Sequence, residues 1–309
     1  MPEYSVVVPV YNSSESLEEL FQRIGQTMKD LKKSFEVIFV DDDSSDTSWR
    51  ILETIQKANQ DTVTAMRLAR NFGQHNATIC GIAQASGVYI ITLDDDLQNP
   101  PEEIAKLVST MENSDTDLVY GIYGKKHHSM MRNLGSAAIK SSSQHIFRTK
   151  GFGSSFRLMK SSLGKCLLNH QINFIFIDEL FNWYTNHIEF VWVDHQKRPY
   201  QKSTYTSHSL FSLFSNLVIY YTAIPLRIMV YSGVISAFLS FIIGVVFIYR
   251  KIVHDVPLGF TALIVAILFS TSIILLSLGI IGEYLSRIYS VQNRKPPYSI
   301  KTLLNHEIL

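Results

Sequence analysis

Two clusters of aspartate are the most chemically distinctive feature of this chain. One is Asp94-Asp95-Asp96, followed by Gln98, and the other extends from Asp41 to Asp46. Adjacent carboxylates repel one another, so a cation or hydrogen-bond donors must compensate for their charge. In an extended segment residues i and i+2 point the same way, which lets Asp94 and Asp96 converge on one ion. Such oxygen ligands suit Mg²⁺ or Mn²⁺ shared with phosphates, and a solvated turn is the alternative.

Other catalytic signatures are missing from the sequence. It contains no G-x-x-x-x-G-K-[ST], G-x-S-x-G or H-E-x-x-H motif, and no G-x-G-x-x-G between a strand and a helix. The two cysteines lack the Cys-x-x-Cys spacing of zinc and redox sites. The aspartate clusters are therefore the main candidates for chemistry.

The two clusters follow strands in a predicted alternation of strands and helices. The predicted strands are Tyr4–Val10, Phe35–Val40, Val63–Leu68, Val88–Leu93 and Leu118–Ile122. The predicted helices are Glu15–Lys33, Thr47–Ala58, one near Asn76–Ala85 and one that begins at Pro100-Pro101. Alternation with strands that are apolar on both faces indicates a doubly wound, mostly parallel α/β sheet. Ligands of such sheets bind outside the carboxyl ends of the strands, where both clusters lie.

The C-terminal third of the chain is predicted to enter a membrane. Residues 228–249 and 258–282 are 22 and 25 residues long and carry no charge, whereas a span needs roughly 20 residues. Only eight residues separate them, which predicts a hairpin of two transmembrane helices. Basic residues are more numerous in the flanks than in the turn, so both flanks are predicted to be cytoplasmic. Residues 207–227 are apolar but shorter, and favour an interfacial amphipathic segment over packing on the globular domain.

These boundaries predict a cytoplasmic globular domain at 1–206 and a cytoplasmic tail at 283–309. The whole chain is 46% hydrophobic and 18% charged, compared with a usual charged share of about 25%. It carries 28 Lys and Arg against 27 Asp and Glu. This composition excludes a disordered chain, a collagen-like chain and a strongly basic nucleic-acid binder, so no nucleic-acid partner is expected.

Several segments together resemble a known enzyme family. They are VVVPVYNSSESL (6–17), VIFVDDDSSD (37–46), RNFGQHNATICGI (70–82), LDDDLQNPPEEI (93–104) and LLSLGIIGEYLSRIY (275–289). They resemble the polyprenyl-phosphate glycosyltransferases, inverting family 2 enzymes of the GT-A fold. This group includes bactoprenol glucosyltransferase, the aminoarabinose transferases of lipid A modification and dolichol-phosphate mannose synthase. The resemblance covers nearly the whole chain.

The resemblance implies an activity and a location. A sugar would pass from a UDP-sugar to polyprenyl (undecaprenyl) phosphate for cell-envelope glycan or lipopolysaccharide modification, with Mg²⁺ or Mn²⁺ as cofactor. The enzyme would be a multi-pass protein of the bacterial inner membrane with both termini cytoplasmic, and similar proteins form homotetramers. A processive polysaccharide-synthesising glycosyltransferase and a catalytically inactive membrane scaffold are the alternatives. The first lacks support because no Q-x-x-R-W motif is present, and the intact Asp94 and Asp96 argue against the second.

The resemblance also assigns roles on the nucleotide side of the site. Pro9 and Tyr11 would flank the base, and Asp42, together with Asp41, would bond the uracil. Asp43 stands where the family usually has glycine, which leaves the shape of that turn open.

A second group of roles concerns the diphosphate and the sugar. Asp94 and Asp96 match the outer acids of the family's D-x-D and would hold the metal, with Asp96 counted among the catalytic residues. Asp95 stands where alanine is common in the family, and is expected to lie near the nucleotide-sugar as a solvent-facing carboxylate. Gln98 would lie near the sugar.

The acceptor side departs from the family pattern. Arg132 matches an arginine near the acceptor phosphate, and Arg157 is either a second phosphate contact or a structural ion-pair partner. The acid that commonly precedes the F-R-L run is missing from Gly151–Ser155.

Four further residues are catalytic or donor-binding candidates in this pattern. Asp178 and Glu179 resemble the acid pair that more distant GT-A enzymes use as base, or else form a solvated helix face. Arg198 and Lys202 lie in an altered R-x-x-G-x-S-K-Y loop, where Lys202 would supply a lost charge and help to stabilise the departing diphosphate.

Overall fold

The computed structural model describes residues 1–123, 154–169, 177–196, 259–292 and 296–305, together with part of 229–253. The chain divides into two compact units. One combines Met1–Thr204 with Pro296–Leu309, and the other is Tyr205–Lys295.

One mixed sheet organises the first unit. Its strands are β1 (Tyr4–Val10), β2 (Phe35–Asp41), β3 (Val63–Leu68), β4 (Tyr89–Thr92), β5 (Leu118–Ile122), β6 (Arg157–Lys160), β7 (Ile188–Trp192) and β8 (Ile300–Leu304). Their order in the sheet is β7-β5-β6-β4-β1-β2-β3-β8. β1 pairs in parallel with β2 and β4, and β2 pairs in parallel with β3. β6 and β8 run antiparallel to their neighbours.

Helices alternate with these strands, as the sequence predicts for the first half of the chain. They are α1 (Leu17–Asp30), α2 (Ser48–Ala58), α3 (Gln74–Gln84), α4 (Ile104–Asn113), α5 (Ser161–Cys166) and α6 (Ile177–Tyr184), with 3₁₀ turns at Pro101–Glu103 and Leu167–Asn169. In α1, Leu17, Leu20, Ile24 and Met28 recur at helical spacing and are all buried. The apolar face of the helix therefore packs into the core.

The core lies around the central parallel strands. Every residue of β1 is buried, which is expected where helices cover both faces of a sheet. α3 approaches the sheet closely, because a Cβ added at Gly81 would lie 2.3 Å from Cγ1 of Val7. The backbone N–H groups of Phe72 and Gly73, just before α3, donate to Asp42 directly after β2, so the N-terminus of α3 lies at the carboxyl edge of the sheet.

Three strands were not predicted from the sequence. β6 and β7 are short, and β8 falls within residues 283–309, for which the sequence predicts only a tail. β8 pairs with β3, with Ala65 opposite Leu304 and Leu68 opposite Ile300. The segment after the apolar region thus belongs to the sheet of the first unit.

The second unit contains a long apolar helix, α7 (Phe260–Gln292). Its window Phe269–Ser286 has a mean hydropathy of 1.5, and among the described residues this is the one helix long and apolar enough to cross a membrane. It continues ten residues beyond the predicted end at residue 282. The described residues within 229–253 are helical, and the predicted hairpin stays a prediction.

Several sequence-based assignments fall outside the described residues. They are Arg132, Arg198, Lys202 and the segment 207–227.

Candidate active site

The loops that follow β1, β2 and β4 lie together at one edge of the sheet. Because these strands are adjacent and parallel, their carboxyl ends meet there. Hydrogen bonds tie the loops to each other: Asn12 N–H donates to Ser44 Oγ at 2.9 Å and Tyr11 N–H donates to Asp95 Oδ2 at 3.0 Å. The two acidic clusters therefore belong to one site.

Asp94 is the first residue of the acidic segment after β4. Gln74 Nε2 donates to its Oδ1 at 2.6 Å, and Ser155 Oγ donates to its Oδ2. Gln74 begins α3, and Ser155 lies just before β6. Both carboxylate oxygens are thus held by neutral donors from two different elements.

Asp96 lies in the turn that follows. Its Oδ1 accepts the backbone N–H of Gln98 at 3.0 Å, while Leu97 between them has a left-handed φ of 58°. The carbonyl oxygen of Gln98 accepts Gln196 N–H at 2.8 Å, which ties this turn to the segment after β7. Asp94, Asp95 and Asp96 all keep part of their surface exposed.

Asp95 behaves differently from its two neighbours. Its Oδ2 accepts Tyr11 N–H, and Ser16 Oγ donates to its carbonyl oxygen at 2.5 Å. Burial raises the pKa of Asp95 to about 7, against the lowering effect of hydrogen bonds from Ser13 and Tyr11. Asp95, expected as a solvent-facing carboxylate, thus also anchors the loop after β1.

Asp42 also has defined protein partners. Its Oδ1 accepts Phe72 N–H at 2.7 Å and its Oδ2 accepts Gly73 N–H at 2.8 Å. Burial raises the pKa of Asp42, while these two backbone hydrogen bonds lower it. The residue predicted to bond uracil thus also fixes the loop that leads into α3.

Arg67 compensates for the two neighbouring acids. Its Nε lies 3.3 Å from Asp41 Oδ2, and its Nη2 lies 3.3 Å from Asp43 Oδ1. Asp41 is fully buried, and burial raises its pKa against the lowering effects of Ser44 and Arg67. Asp43 adopts a φ of 58°, the left-handed conformation that glycine adopts most readily.

The two residues predicted to flank a base differ in exposure. Tyr11 is 49% exposed at the edge of the sheet. Pro9 is buried within β1 opposite Val40. Of this pair, Tyr11 therefore offers the larger accessible surface to a ligand.

Arg157 and Asp178 form a buried ion pair below this edge. Arg157 Nη1 lies 3.0 Å from Asp178 Oδ1, and the Arg157 side chain is only 3% exposed. The hydroxyl of Tyr120 donates to the same Asp178 oxygen at 2.9 Å. Of the two roles weighed for Arg157, this geometry matches the structural ion-pair partner. Asp178 does not lie on a solvated helix face, and Glu179 follows it in α6.

His75 lies next to this pair. Burial lowers its pKa to about 4, with Arg157 adding to the decrease and Asp178 opposing it. Burial also raises the pKa of Tyr120 well above its ordinary value. His75 is therefore neutral near pH 7.

Comparison with known protein families identifies the family of the domain that contains this site. Residues 5–185 match the domain described as glycosyl transferase family 2, which is more than half of the chain. The chain belongs to glycosyl transferase family 2. This glycosyltransferase is similar to curated proteins over almost its full length.

Two of these relatives carry the name undecaprenyl-phosphate 4-deoxy-4-formamido-L-arabinose transferase. The protein from Proteus mirabilis is 33% identical over 97% of this chain and 93% of its own length. That from Yersinia enterocolitica is 32% identical over 98% of this chain and 94% of its own length.

Solved structures support the fold of this family 2 glycosyltransferase. The chain resembles glucosyl-3-phosphoglycerate synthase from Mycobacterium tuberculosis in complex with uridine diphosphate, with a TM-score of 0.50. The two share 16% sequence identity over 71% of this chain and 78% of that one. The predicted GT-A fold is confirmed.

The acids of this glycosyltransferase suit a metal that is shared with a substrate. Among the residues that the structure describes, no group of three or more His, Cys, Asp or Glu side chains could hold a metal ion alone. Asp94 and Asp96 provide two carboxylates, and Mg²⁺ commonly binds through one or two carboxylates plus substrate phosphates. The donor set therefore fits a divalent cation on a diphosphate.

Sequence reasoning missed some residues of this site. Gln74 and Ser155 bond Asp94 but lie 20 and 61 residues from it. Both stand in segments singled out for other reasons, Gln74 in the RNFGQHNA motif and Ser155 before the F-R-L run. Nothing in their spacing signals a contact with Asp94.

Proposed function

We propose that this glycosyltransferase moves a sugar from a UDP-linked donor to a polyprenyl phosphate, with inversion at the anomeric carbon. The observation that carries the proposal is the near-full-length match to relatives named as undecaprenyl-phosphate transferases. The strongly apolar α7 supports a lipid acceptor, because an enzyme acting on a headgroup phosphate must lie at the membrane.

The donor would bind across the three loops at the sheet edge. Tyr11 would contact the base, while Asp41 and Asp42 would form the polar wall near it. Asp94 and Asp96 would hold Mg²⁺ or Mn²⁺ on the diphosphate, and the bound cation would stabilise the negative charge of the leaving group. Gln98 would lie beside the sugar.

The acceptor changes what the protein must provide. A phosphate monoester is already anionic at pH 7, so little deprotonation is needed and orientation carries much of the rate. Arg132, Arg198 and Lys202 are proposed to neutralise the acceptor and the departing diphosphate. Asp178 already holds Arg157 and Tyr120, which favours a positioning role for it and leaves Glu179 as the candidate base of that pair.

The membrane arrangement is part of the same proposal. Two spans with both termini in the cytoplasm, in the bacterial inner membrane, would keep the catalytic domain beside the headgroups. The apolar surface of α7 is consistent with one of these spans. Cell-envelope glycan or lipopolysaccharide modification is the process in which we place the product, from the resemblance to the polyprenyl-phosphate glycosyltransferases.

The test is transfer by the full-length protein in detergent, with a panel of UDP-sugars, undecaprenyl phosphate, and Mn²⁺ or Mg²⁺. Asp96→Asn is expected to lower transfer at least about 100-fold, because metal stabilisation of leaving-group charge contributes several kcal/mol. Asp30→Asn, an exposed change at the end of α1, is the matched control and should keep full activity.

Two results would contradict the proposal. Transfer that continues without undecaprenyl phosphate would exclude the lipid acceptor. Equal UDP release by the wild-type protein and Asp96→Asn would instead favour an inactive scaffold with a contaminating activity.

A further inference from the structure

We propose that Gln74 and Ser155 are positioning residues that orient the Asp94 carboxylate toward the divalent cation. The proposal rests on the proposed function, since it assumes that Asp94 binds a metal shared with the donor. It adds two residues, from α3 and from the segment before β6, that act through Asp94.

The first contact is the hydrogen bond from Gln74 to Asp94, and the backbone just before Gln74 is itself held by hydrogen bonds. Gln74 is the first residue of α3. Its Nε2 donates to Asp94 Oδ1 at 2.6 Å. The two residues before it donate their backbone N–H groups to Asp42, at 2.7 Å and 2.8 Å. The preceding Gly73 has φ 90° and ψ 151°, a region that is essentially restricted to glycine. The chain therefore enters α3 along a path that delivers the amide to Asp94.

The second contact is the hydrogen bond from Ser155 to Asp94, and strand β4 holds Ser155 in place. The carbonyl oxygen of Ser155 accepts Thr92 Oγ1 at 2.6 Å, at the end of β4. Arg157, two residues further on, pairs with Thr92 in the β4–β6 register and is held by its ion pair with Asp178. Ser155 Oγ is therefore fixed beside Asp94 Oδ2.

The chemistry of the two donors fits orientation of a ligand. Each carboxylate oxygen has two lone-pair directions, so a hydrogen bond from Gln74 or Ser155 does not by itself block metal binding at that oxygen. An amide and a hydroxyl are neutral and leave the negative charge of Asp94 intact, as a cation requires. Outer-shell partners of metal ligands typically contribute 10- to 100-fold to metal affinity.

A purely structural role would give a different result. If the two hydrogen bonds only stabilised the loops, their removal would weaken UDP binding equally with and without metal. If the two hydrogen bonds orient Asp94, their removal weakens UDP binding in the presence of metal and leaves UDP binding in its absence unchanged.

The experiment is calorimetric titration of UDP into the full-length protein in detergent, over a series of Mn²⁺ concentrations and in EDTA. Direct Mn²⁺ binding is followed by electron paramagnetic resonance. Gln74→Ala and Ser155→Ala are each expected to raise the Mn²⁺ concentration needed for UDP binding by about 10- to 100-fold. UDP affinity in EDTA should stay at the wild-type value.

Control variants test whether the effect depends on the contact with Asp94 or only on losing a glutamine or a serine. Gln84→Ala changes the other end of α3, and Ser162→Ala changes an exposed hydroxyl on α5; both should behave like the wild-type protein. Ser155→Thr keeps a hydroxyl and should restore most of the Mn²⁺ affinity lost in Ser155→Ala.

The outcomes distinguish this inference from the proposed function. If Asp94→Asn loses Mn²⁺-dependent UDP binding while both alanine variants keep it, the positioning role is overturned and the metal site stands. If the wild-type protein binds UDP equally in Mn²⁺ and in EDTA, the metal site and the positioning role both fail. If the two alanine variants lost UDP affinity equally with Mn²⁺ and in EDTA, the positioning role would also be overturned.

Discussion

Three consecutive aspartates after β4 carry the same side chain and make three different sets of contacts. Asp94 accepts donors from two other elements, Asp95 holds the loop after β1, and Asp96 closes its own turn. Burial raises the pKa of Asp95 to about 7. At the scale of single residues, the partner determines what an acid can do, and only the two outer acids of this segment are proposed as metal ligands.

His75 provides a prediction about pH at the same scale. Its folded-state pKa of about 4 lies below the ordinary value of 6.5, mainly because of burial. Between these values the unfolded chain binds more protons than the folded one, so stability falls as the pH falls from about 6.5 toward 4. In His75→Gln the free energy of unfolding should fall less steeply with falling pH over this range, by at most about 1.4 kcal/mol per pH unit. Thermal unfolding of the protein in detergent from pH 4 to 8 measures it.

An exposed histidine provides the control for this prediction. His187 is exposed, so His187→Gln should keep the pH dependence of the wild-type protein between pH 4 and 6.5. If His75→Gln also followed the wild-type curve between pH 4 and 6.5, His75 would not be held neutral by burial.

The sequence predicted the acids of the site better than their supports. The positions of Asp94 and Asp96 follow from strand ends, which hydrophobic runs reveal. The bond from Tyr11 to Asp95 joins residues 84 positions apart, and the ion pair of Arg157 with Asp178 links β6 to α6. Such contacts depend on how distant elements meet, and a single sequence carries little trace of them.

At the scale of elements, buried polar contacts fix how the pieces around the site meet. Arg157 begins β6, Tyr120 lies in β5 and Asp178 lies in α6, and all three meet at one Asp178 oxygen. Removing one member of a buried ion pair leaves an uncompensated charge. This cluster therefore fixes α6 against the sheet, next to the segment that presents Ser155.

The entry into α3 gives a prediction at this scale. Gly73 has φ 90°, and a Cβ added there would meet nothing within 4 Å. Gly73→Ala should therefore act through backbone strain alone and lower the free energy of unfolding by about 1–3 kcal/mol. Denaturant unfolding, followed by tryptophan fluorescence, measures the change.

Gly25→Ala is the matched comparison. Gly25 lies inside α1, where its added Cβ also meets nothing within 4 Å and its φ is ordinary. Replacing a glycine inside a helix by alanine should stabilise the protein by roughly 0.5–1 kcal/mol. A Gly73→Ala protein as stable as the wild type would show that α3 does not need this backbone conformation.

The predicted elements were those with a strong local pattern. β1 to β5 and α1 to α4 agree with the predicted order, because each is a buried run or an amphipathic helix of sufficient length. β6 begins with the charged Arg157 and ends with Lys160, and no residue of β7 is fully buried, so neither strand forms a continuous apolar run like β4. β8 escaped prediction because its partner strand β3 lies more than 200 residues earlier in the chain.

At the scale of the whole molecule, the chain leaves the first unit and later returns to it. The sheet unit includes Met1–Thr204 and Pro296–Leu309, while Tyr205–Lys295 forms the other unit. β8 thus follows the apolar helix α7 and covers the edge of β3. Uncovered strand edges promote aggregation, because their N–H and C=O groups are free to pair with other chains.

This return predicts that the last strand is needed for the stability of the catalytic sheet. β8 contributes a ladder with β3, a bond from Ala69 N–H to Ser299 O at 2.8 Å and one from Thr64 Oγ1 to Asn305 Oδ1 at 3.1 Å. Ending the chain after residue 295 should cost about 2–3 kcal/mol, since each net hydrogen bond contributes about 1 kcal/mol. That loss corresponds to a melting temperature lower by roughly 5–10 °C.

Hydrogen exchange can locate the effect of this truncation. The amides of β3 should exchange faster in the protein that ends at residue 295, because their partners on β8 are gone, while those of β1 inside the sheet change less. A protein that ends after Asn305 keeps β8 and should match the full chain in melting temperature and in β3 exchange. Equal protection of β3 in all three proteins would mean that β8 does not hold the edge of the sheet in solution.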